Sequence, residues 1–492
     1  MMRGSGILLH ISSLPGPYGI GTIGKNAYQF IDFLAKAGQK YWQVLPLGPT
    51  SYGDSPYQTF SAFAGNPYFI DLDTLVNEGL LEQQDLQSLV KVDDSHRVNF
   101  EKIYKTRFYV LEKAYNQFMK QSERKEFRTF IEANRYWLED YSLFMAIKSM
   151  NVEGNWFGWS ELYRVRDQDM IDYFKKEYQE KIEFWCFVQY KFFEQWLKLK
   201  KYANGLGIKI IGDMPIYVAY DSSDVWANPK YWQLDQNLVP KVVAGVPPDY
   251  FARTGQLWGN PIYDYTLMEK DGYSWWVKRI EESFKIYDVV RIDHFRGFES
   301  YYAIKYTDKT AEFGKWMKGP GNSLFQKIKE ELGDLEIIAE DLGFLTPEVY
   351  QLLRDTGYPG MKILQFGFDP KDDSEYLPHN YSSNSIAYTG THDNKTLKDW
   401  LASITKEEKE FCFAYANINH EEEAVNKLIK CALSSPSEIV IIPLADYLEL
   451  GEEARFNIPS TLGNNWVWRM DNADLTEKLQ KRILENTKIY KR

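Results

Sequence analysis

Eight short, almost continuous apolar runs recur along the chain, at 6–11, 41–47, 208–217, 289–295, 335–340, 361–368, 385–391 and 438–443. A strand with one face in solvent alternates apolar and polar residues. Unbroken apolar runs of this length belong instead to strands buried on both faces, as in a parallel sheet covered by helices. Amphipathic helical segments lie between several of them, among them 323–332, which ends at Gly333, and 421–432. Eight strands alternating with helices predict an α/β fold of the (β/α)8 TIM-barrel type. A doubly wound open sheet gives a similar pattern and stands as the alternative.

The runs are unevenly spaced. About 160 residues separate the second from the third, far more than a crossover needs. Much of that stretch reads as helix: in 181–201 the apolar positions Phe184, Val188, Phe192, Trp196 and Leu199 step by four, four, four and three. Gly205 and Gly207 then end it. A single catalytic barrel domain is therefore expected over 1–492, with a mainly helical insertion at about 70–205 and a second at about 220–285. The second contains 245–258, GVPPDYFARTGQLW, in which Gly and Pro supply turns and Tyr250, Phe251 and Trp258 supply apolar surface. It reads either as a lid over the barrel mouth or as a loop pinned down by its own aromatics.

Charge and cysteine usage narrow the function. A formal charge of −11 argues against a nucleic-acid partner, which needs a basic face. Cys186, Cys412 and Cys431 form no close-spaced metal or redox pair, and a sparse, odd set suits a reducing compartment. The apolar stretch at 7–11, broken by His10, is too short for a secretory signal or a membrane span, so a soluble cytoplasmic protein is expected. Aromatic residues reach 16%, with 15 Trp and 35 Tyr, which permits sugar-stacking surfaces as well as core packing.

Barrel enzymes place their chemistry at the C-terminal ends of the strands. There the third run ends in Asp213, the fourth in Arg291, Asp293 and His294, the fifth in Glu340 and Asp341, the sixth in Asp369, and the seventh in His392, Asp393 and Asn394. One such carboxylate is usually a helix cap or a loop salt bridge; a concentration of them is harder to explain structurally. Arg291 and Asp293 are two apart and share a strand face, and a guanidinium beside a carboxylate favours its ionised form. An ionised, oriented carboxylate is what a retaining glycosidase needs as nucleophile. Glu340 is the natural partner acid, because partial burial and neighbouring negative charge would keep it protonated near neutrality. An Arg–Asp bridge that only ties the barrel together is the plainer reading. No HxH or HExxH spacing supports a transition metal, although a carboxylate-rich Mg²⁺ or Ca²⁺ site stays open. No nucleotide-binding GxGxxG follows a strand, no GxxxxGK[ST] occurs, and no GxSxG elbow marks a serine hydrolase.

RIDHFRG at 291–297, AEDLG at 339–343 and GTHDN at 390–394 resemble the nucleophile, acid/base and stabiliser segments of the amylomaltase (disproportionating-enzyme) family, glycoside hydrolase family 77 of the α-amylase clan. HISSLPGPYGIGTIG at 10–24, GPTSYGDSPYQTFSAFAGNPY at 48–68 and NNWVWRM at 464–470 resemble further family blocks, so the likeness covers nearly the whole chain. The resemblance implies a 4-α-glucanotransferase with Asp293 as nucleophile, Glu340 as acid/base and Asp393 as transition-state stabiliser. It implies that Arg291 orients Asp293, that His294 and His392 hold sugar hydroxyls, and that Asp213 is a supporting carboxylate. Ser55, Tyr57, Gln256, Trp258, Asp369 and Asn465 would line glucose subsites, and 245–258 would be the mobile loop over the cleft. Pro215 in GDMPIYV stands where amylases of the clan usually carry Asn-His, which favours transferase over amylase and no calcium. The family also implies no cofactor and no C-terminal β-sandwich. Its expected partners are maltooligosaccharides and other α-1,4-glucans as donors, with glucan or glucose as acceptor. Rival readings are an α-glucan hydrolase on the same barrel and a non-catalytic glucan-binding protein.

Overall fold

The structure, a computed structural model, describes residues 1–50, 53–87, 89, 95–151, 154–248 and 253–492. Among the described residues, twelve strands occur in chain order: β1 (Gly4–Leu8), β2 (Tyr41–Gln43), β3 (Lys209–Met214), β4 (Val242–Val246), β5 (Gln256–Pro261), β6 (Val289–Ile292), β7 (Ser300–Lys305), β8 (Lys315–Lys318), β9 (Ile337–Ala339), β10 (Gly360–Ile363), β11 (Ser385–Tyr388) and β12 (Ile439–Pro443). Eight of them, in the order β10-β11-β12-β1-β2-β3-β6-β9, form one parallel sheet. The two ends of that order meet: Ala339 at the end of β9 donates its N–H to the carbonyl of Pro359, just before β10, at 3.0 Å. The sheet is thus wrapped into a barrel, and its eight strands coincide with the eight apolar runs.

Burial on both faces explains those runs. Leu8, Tyr41, Ile211, Val289, Ile338, Met361, Ile363, Ile386, Tyr388, Ile439 and Ile441 pack on one another as a separate cluster in the barrel interior. Their strand neighbours, among them Ile7, Trp42, Ile210, Val290, Ile337, Ala387 and Val440, pack outward into the large core shared with the helices. With a period of two, the inward parity that holds Ile211 also holds Asp213; that of Val289 continues to Arg291 and Asp293; that of Ile338 continues to Glu340. The site residues are the upper continuation of the barrel's own interior column.

Between β2 and β3 the described residues are largely helical, ending in the 27-residue helix Gln179–Gly205. The stepped residues Phe184, Val188, Phe192, Trp196 and Leu199 are all buried along it. Two buried glutamines on the same helix fasten the preceding loop. The amide of Gln189 accepts from Gly65 N at 2.8 Å and donates to Gly65 O at 2.9 Å. Gln195 does the same to Asp71 N at 2.7 Å and Asp71 O at 3.1 Å. Each bond contributes about 1 kcal/mol net, and together they anchor the C-terminal end of the loop that carries Tyr57.

The reading of 245–258 as a Gly/Pro loop omits a structure. β4 and β5 pair with each other, and β4 also pairs with β7 of the β7–β8 hairpin that follows β6, giving a four-stranded antiparallel sheet in the order β5-β4-β7-β8. Gly245 is required there: a Cβ at this position would lie 2.2 Å from the carbonyl oxygen of Gln256 on the adjacent strand. After β12 the described residues form helices and turns, ending in the helix Glu477–Ile489, with no further named strand. Among the described residues no helix is long and apolar enough to cross a membrane.

Candidate active site

β3, β6 and β9 are adjacent in the barrel, and their C-terminal ends bring a cluster of charges to one mouth. Asp213 and Arg291 are direct register partners on β3 and β6. Arg291 Nη1 donates to Asp213 Oδ1 at 2.7 Å and Oδ2 at 2.8 Å, and to Asp293 Oδ1 at 3.0 Å. The Asp213 side chain is fully buried, whereas that of Asp293 keeps 29% of its exposure. Two carboxylates therefore share one guanidinium, and only Asp293 reaches the open cleft. Arg291 is pushed well above its usual range by these two acids despite its burial. Asp213 is pushed up by burial, with Arg291 opposing.

Glu340 lies one residue past β9. Its Oε2 accepts the backbone N–H of His294 at 2.7 Å, and its Oε1 accepts that of Leu342 at 2.9 Å. Burial raises its carboxyl to about 8; Arg291 opposes this, the charge of Asp293 adds to it, and the two backbone donors oppose it. Burial prevails, and a carboxyl held neutral at pH 7 can give a proton. His294 takes a left-handed backbone, φ 52° and ψ 49°, uncommon for a residue with a Cβ and worth about 1 kcal/mol or more of strain. That conformation turns its N–H onto Glu340, while its ring meets Trp258 edge-on at 4.9 Å. Burial holds the His294 imidazole down at about 3, so the ring is neutral, and its Nε2 is buried without a partner among the described residues. A buried, unpaired ring nitrogen at a cleft suits a ligand hydroxyl.

The opposite side of the mouth is built after β11. Tyr57 joins the two sides: its hydroxyl donates to Asp213 Oδ2 at 2.8 Å and lies 3.4 Å from His392 Nδ1, and its ring stacks on His392 at 5.0 Å. His392 Nε2 is 3.5 Å from Asp393 Oδ2. Asp393 is the most open of the three candidate acids, with 46% of its side chain exposed. Trp466 packs against both rings, 5.8 Å from Tyr57 and 5.9 Å from His392.

Asp213, Arg291, Asp293, Glu340, His294, Trp258, Tyr57, His392 and Asp393 are thus linked by contacts around one opening. Gln256 belongs to the same wall, its Oε1 accepting from Trp258 Nε1 at 3.1 Å. Ser55 sits behind Tyr57, its Oγ accepting from Tyr57 N at 3.3 Å. Asn465 folds the 458–465 turn, accepting from Ile458 N at 3.1 Å and donating to the Thr461 carbonyl and hydroxyl, each at 3.1 Å. Asp369 is exposed, and its side chain caps its own turn through Lys371 N at 2.9 Å. Tyr250 and Phe251 lie outside the described residues. Four residues escaped the sequence reading: His10, Arg455, Asn457 and Trp466. His10 closes β1, accepts from Leu45 N at 3.2 Å through Nδ1, and is kept neutral at about 3 by burial and by the nearby His392. Its place at a strand end and at the head of the 10–24 block signalled it. Among the described residues no three His, Cys, Asp or Glu side chains converge as metal ligands.

The model of the 4-alpha-glucanotransferase family, glycoside hydrolase family 77, matches residues 9–476. A 4-alpha-glucanotransferase of Streptococcus pneumoniae is 52% identical over 492 residues, covering 100% of this chain and 97% of that protein. One of Clostridium butyricum is 51% identical over 486 residues, covering 98% and 100%. The solved amylomaltase of Streptococcus agalactiae in complex with acarbose superposes with a TM-score of 0.98 at 42% identity, covering 100% of this chain and 99% of that one. With a barrel mouth of this construction and a match along nearly its whole length, the chain belongs to glycoside hydrolase family 77, the 4-α-glucanotransferases.

Proposed function

We propose that this enzyme transfers α-1,4-glucan segments between maltooligosaccharides by double displacement, with Asp293 as nucleophile, Glu340 as acid/base and Asp393 as transition-state stabiliser. One observation carries the assignment: two carboxyls meet at the same mouth in unlike surroundings, Asp293 paired with Arg291 and open to the cleft, Glu340 half-buried, held by two backbone N–H groups and neutral. That division of labour is what retaining glycoside chemistry requires.

Asp293 attacks the anomeric carbon as Glu340 protonates the departing 4-oxygen, and a β-linked glycosyl-enzyme forms. Asp393 accepts hydrogen bonds from sugar hydroxyls as positive charge develops on the ring. Glu340, now ionised, takes the proton of an acceptor's 4-hydroxyl, and the second inversion restores the α configuration. Arg291, held by its buried partner Asp213, aims Asp293, while the neutral ring of His294 and the ring of His392 serve sugar hydroxyls. Tyr57 and Trp258 offer aromatic faces for glucose rings, and Ser55, Gln256, Asp369 and Asn465 complete the subsites directly or through the turns they hold. Donors are maltooligosaccharides and longer α-1,4-glucans; acceptors are glucan or glucose; cyclic products arise when a chain's own end is the acceptor. The protein works in the cytoplasm without a cofactor, consistent with three unpaired cysteines.

Incubation with maltotriose tests the reaction. The expected products are glucose and a ladder of longer oligomers. Only shorter sugars would mean a hydrolase, and no product at all would mean a glucan-binding protein. Removing the indole in Trp258→Ala should shift the product ratio from transfer towards hydrolysis by several-fold, read as released reducing ends against ladder products, because an aromatic platform holds the acceptor and excludes water.

A further inference from the structure

Asp393 presents an open carboxylate at the end of a loop, and an exposed Asp ordinarily samples several rotamers. Here it does not stand free. Asn457 Nδ2 donates to Asp393 Oδ1 at 2.7 Å, and Arg455 Nη2 donates to the Asp393 carbonyl at 2.9 Å. The same guanidinium, through Nε, donates to the Asn457 carbonyl at 2.9 Å, and Asn457 N donates to the His392 carbonyl at 3.2 Å. These bonds close a ring: Asp393 backbone, Arg455, Asn457 backbone, Asn457 amide, Asp393 carboxylate. The ring fixes Oδ1, so that Oδ2 is the oxygen left to face the cleft, beside His392 Nε2 at 3.5 Å. The clamp comes from the segment after β12, 62 and 64 residues away in the chain.

We propose that Asn457 and Arg455 are positioning residues for the reaction, setting the orientation in which Asp393 meets the sugar hydroxyls. The proposal rests on the stabiliser role given to Asp393 above. A stabilising acceptor acts only if it is already aimed when charge develops; one that must reorient loses much of its effect. Asn457 can supply the N–H to Oδ1 only in its amide form. Arg455 supplies two divergent N–H groups to two carbonyls at once, which a lysine ammonium cannot match in planar geometry.

The test compares the full-length wild type with Asn457→Ala, Asn457→Asp, Arg455→Lys and Asp393→Asn, with maltotriose as substrate. Asn457→Ala and Arg455→Lys are expected to lose roughly 10- to 100-fold in kcat, with KM within about threefold and an unchanged melting temperature. Asn457→Asp carries the decisive signature. Near pH 8 it sets two anionic carboxylates against each other and should be no better than Asn457→Ala. Near pH 5 the pair shares a proton, an O–H again points at Asp393 Oδ1, and kcat should recover several-fold over Asn457→Ala. A ratio of the two variants that stays constant from pH 5 to pH 8, or an Asn457→Ala kcat within threefold of wild type, overturns the clamp. Asp393→Asn separates the two levels: if it keeps near-normal activity, the stabiliser assignment itself is wrong, whereas if it is inactive and the clamp variants are not, only the positioning role is.

Discussion

Replacing Asp293 by Asn should lower kcat with maltotriose by roughly 10⁴-fold or more, because the covalent step has no substitute nucleophile in the cleft. The amide is nearly isosteric, and its oxygen still accepts from Arg291, which also keeps Asp213 as its buried partner at 2.7 Å. Folding and glucan affinity should therefore persist, with Kd for a maltooligosaccharide within a few-fold by calorimetry. Activity within tenfold of wild type would remove Asp293 from the nucleophile role. A second readout follows from Glu340. The negative charge of Asp293 is one cause of its raised carboxyl, so removing that charge should bring the carboxyl down from about 8. The sign of the stability effect is fixed. A carboxyl whose folded-state value lies above its unfolded value binds a proton that the unfolded chain releases. Its stabilising contribution is complete below the unfolded value and is lost as pH rises towards 8. In Asp293→Asn that loss should end at lower pH, which melting curves between pH 5 and pH 9 would register.

The barrel was legible in the chain because its strands are apolar on both faces, and the same property that lets Leu8 pack inward and Ile7 outward makes each strand a contiguous run. The four-stranded antiparallel sheet lacks that signal. β4 is a short apolar run buried only at its three central residues, β5 mixes Gly, Asn and Pro with partly exposed positions, and the whole of β8 is exposed. Such strands are held by neighbours rather than by their own pattern, so residues 245–258 read as a turn-rich loop. The same contrast runs through the site. Asp213, Arg291, Asp293 and Glu340 follow from strand ends and a period of two, because the backbone itself aims them. Asn457 and Arg455 sit on an irregular segment, where no periodicity ties a residue to a partner more than 60 positions away. His294 lies between these cases: its position was evident, but the left-handed backbone that gives Glu340 its N–H was not, since nothing in the residue type announces it. The helical insertion was readable as helix from its four-residue steps. Its use was not, because Gln189 and Gln195 show their purpose only when their amides are seen on Gly65 and Asp71.

Replacing Glu340 by Gln should separate the two halves of the reaction. With maltotriose the leaving 4-oxygen needs a proton, and kcat should fall by roughly 10³-fold. With α-maltosyl fluoride it does not: the carbon–fluorine bond breaks, fluoride leaves unprotonated, and Asp293 forms its bond to the anomeric carbon with no acid. The first step should then run at a rate near wild type and stop, because the amide at 340 cannot take the acceptor's proton. A burst of fluoride equal to the enzyme present is expected, with the maltosyl group found on the peptide that holds Asp293. Multiple turnovers at the wild-type rate would remove Glu340 from the acid/base role, and a label on any other acid would redraw the site. The pH dependence supplies an independent arm. With maltotriose the wild type should lose activity as pH rises through about 8, where Glu340 ionises, and the burst of Glu340→Gln with the fluoride should show no such limb. If the limb persists in the variant, the group that titrates near pH 8 is not Glu340, and the burial that keeps this carboxyl neutral is not what gives the enzyme its acid.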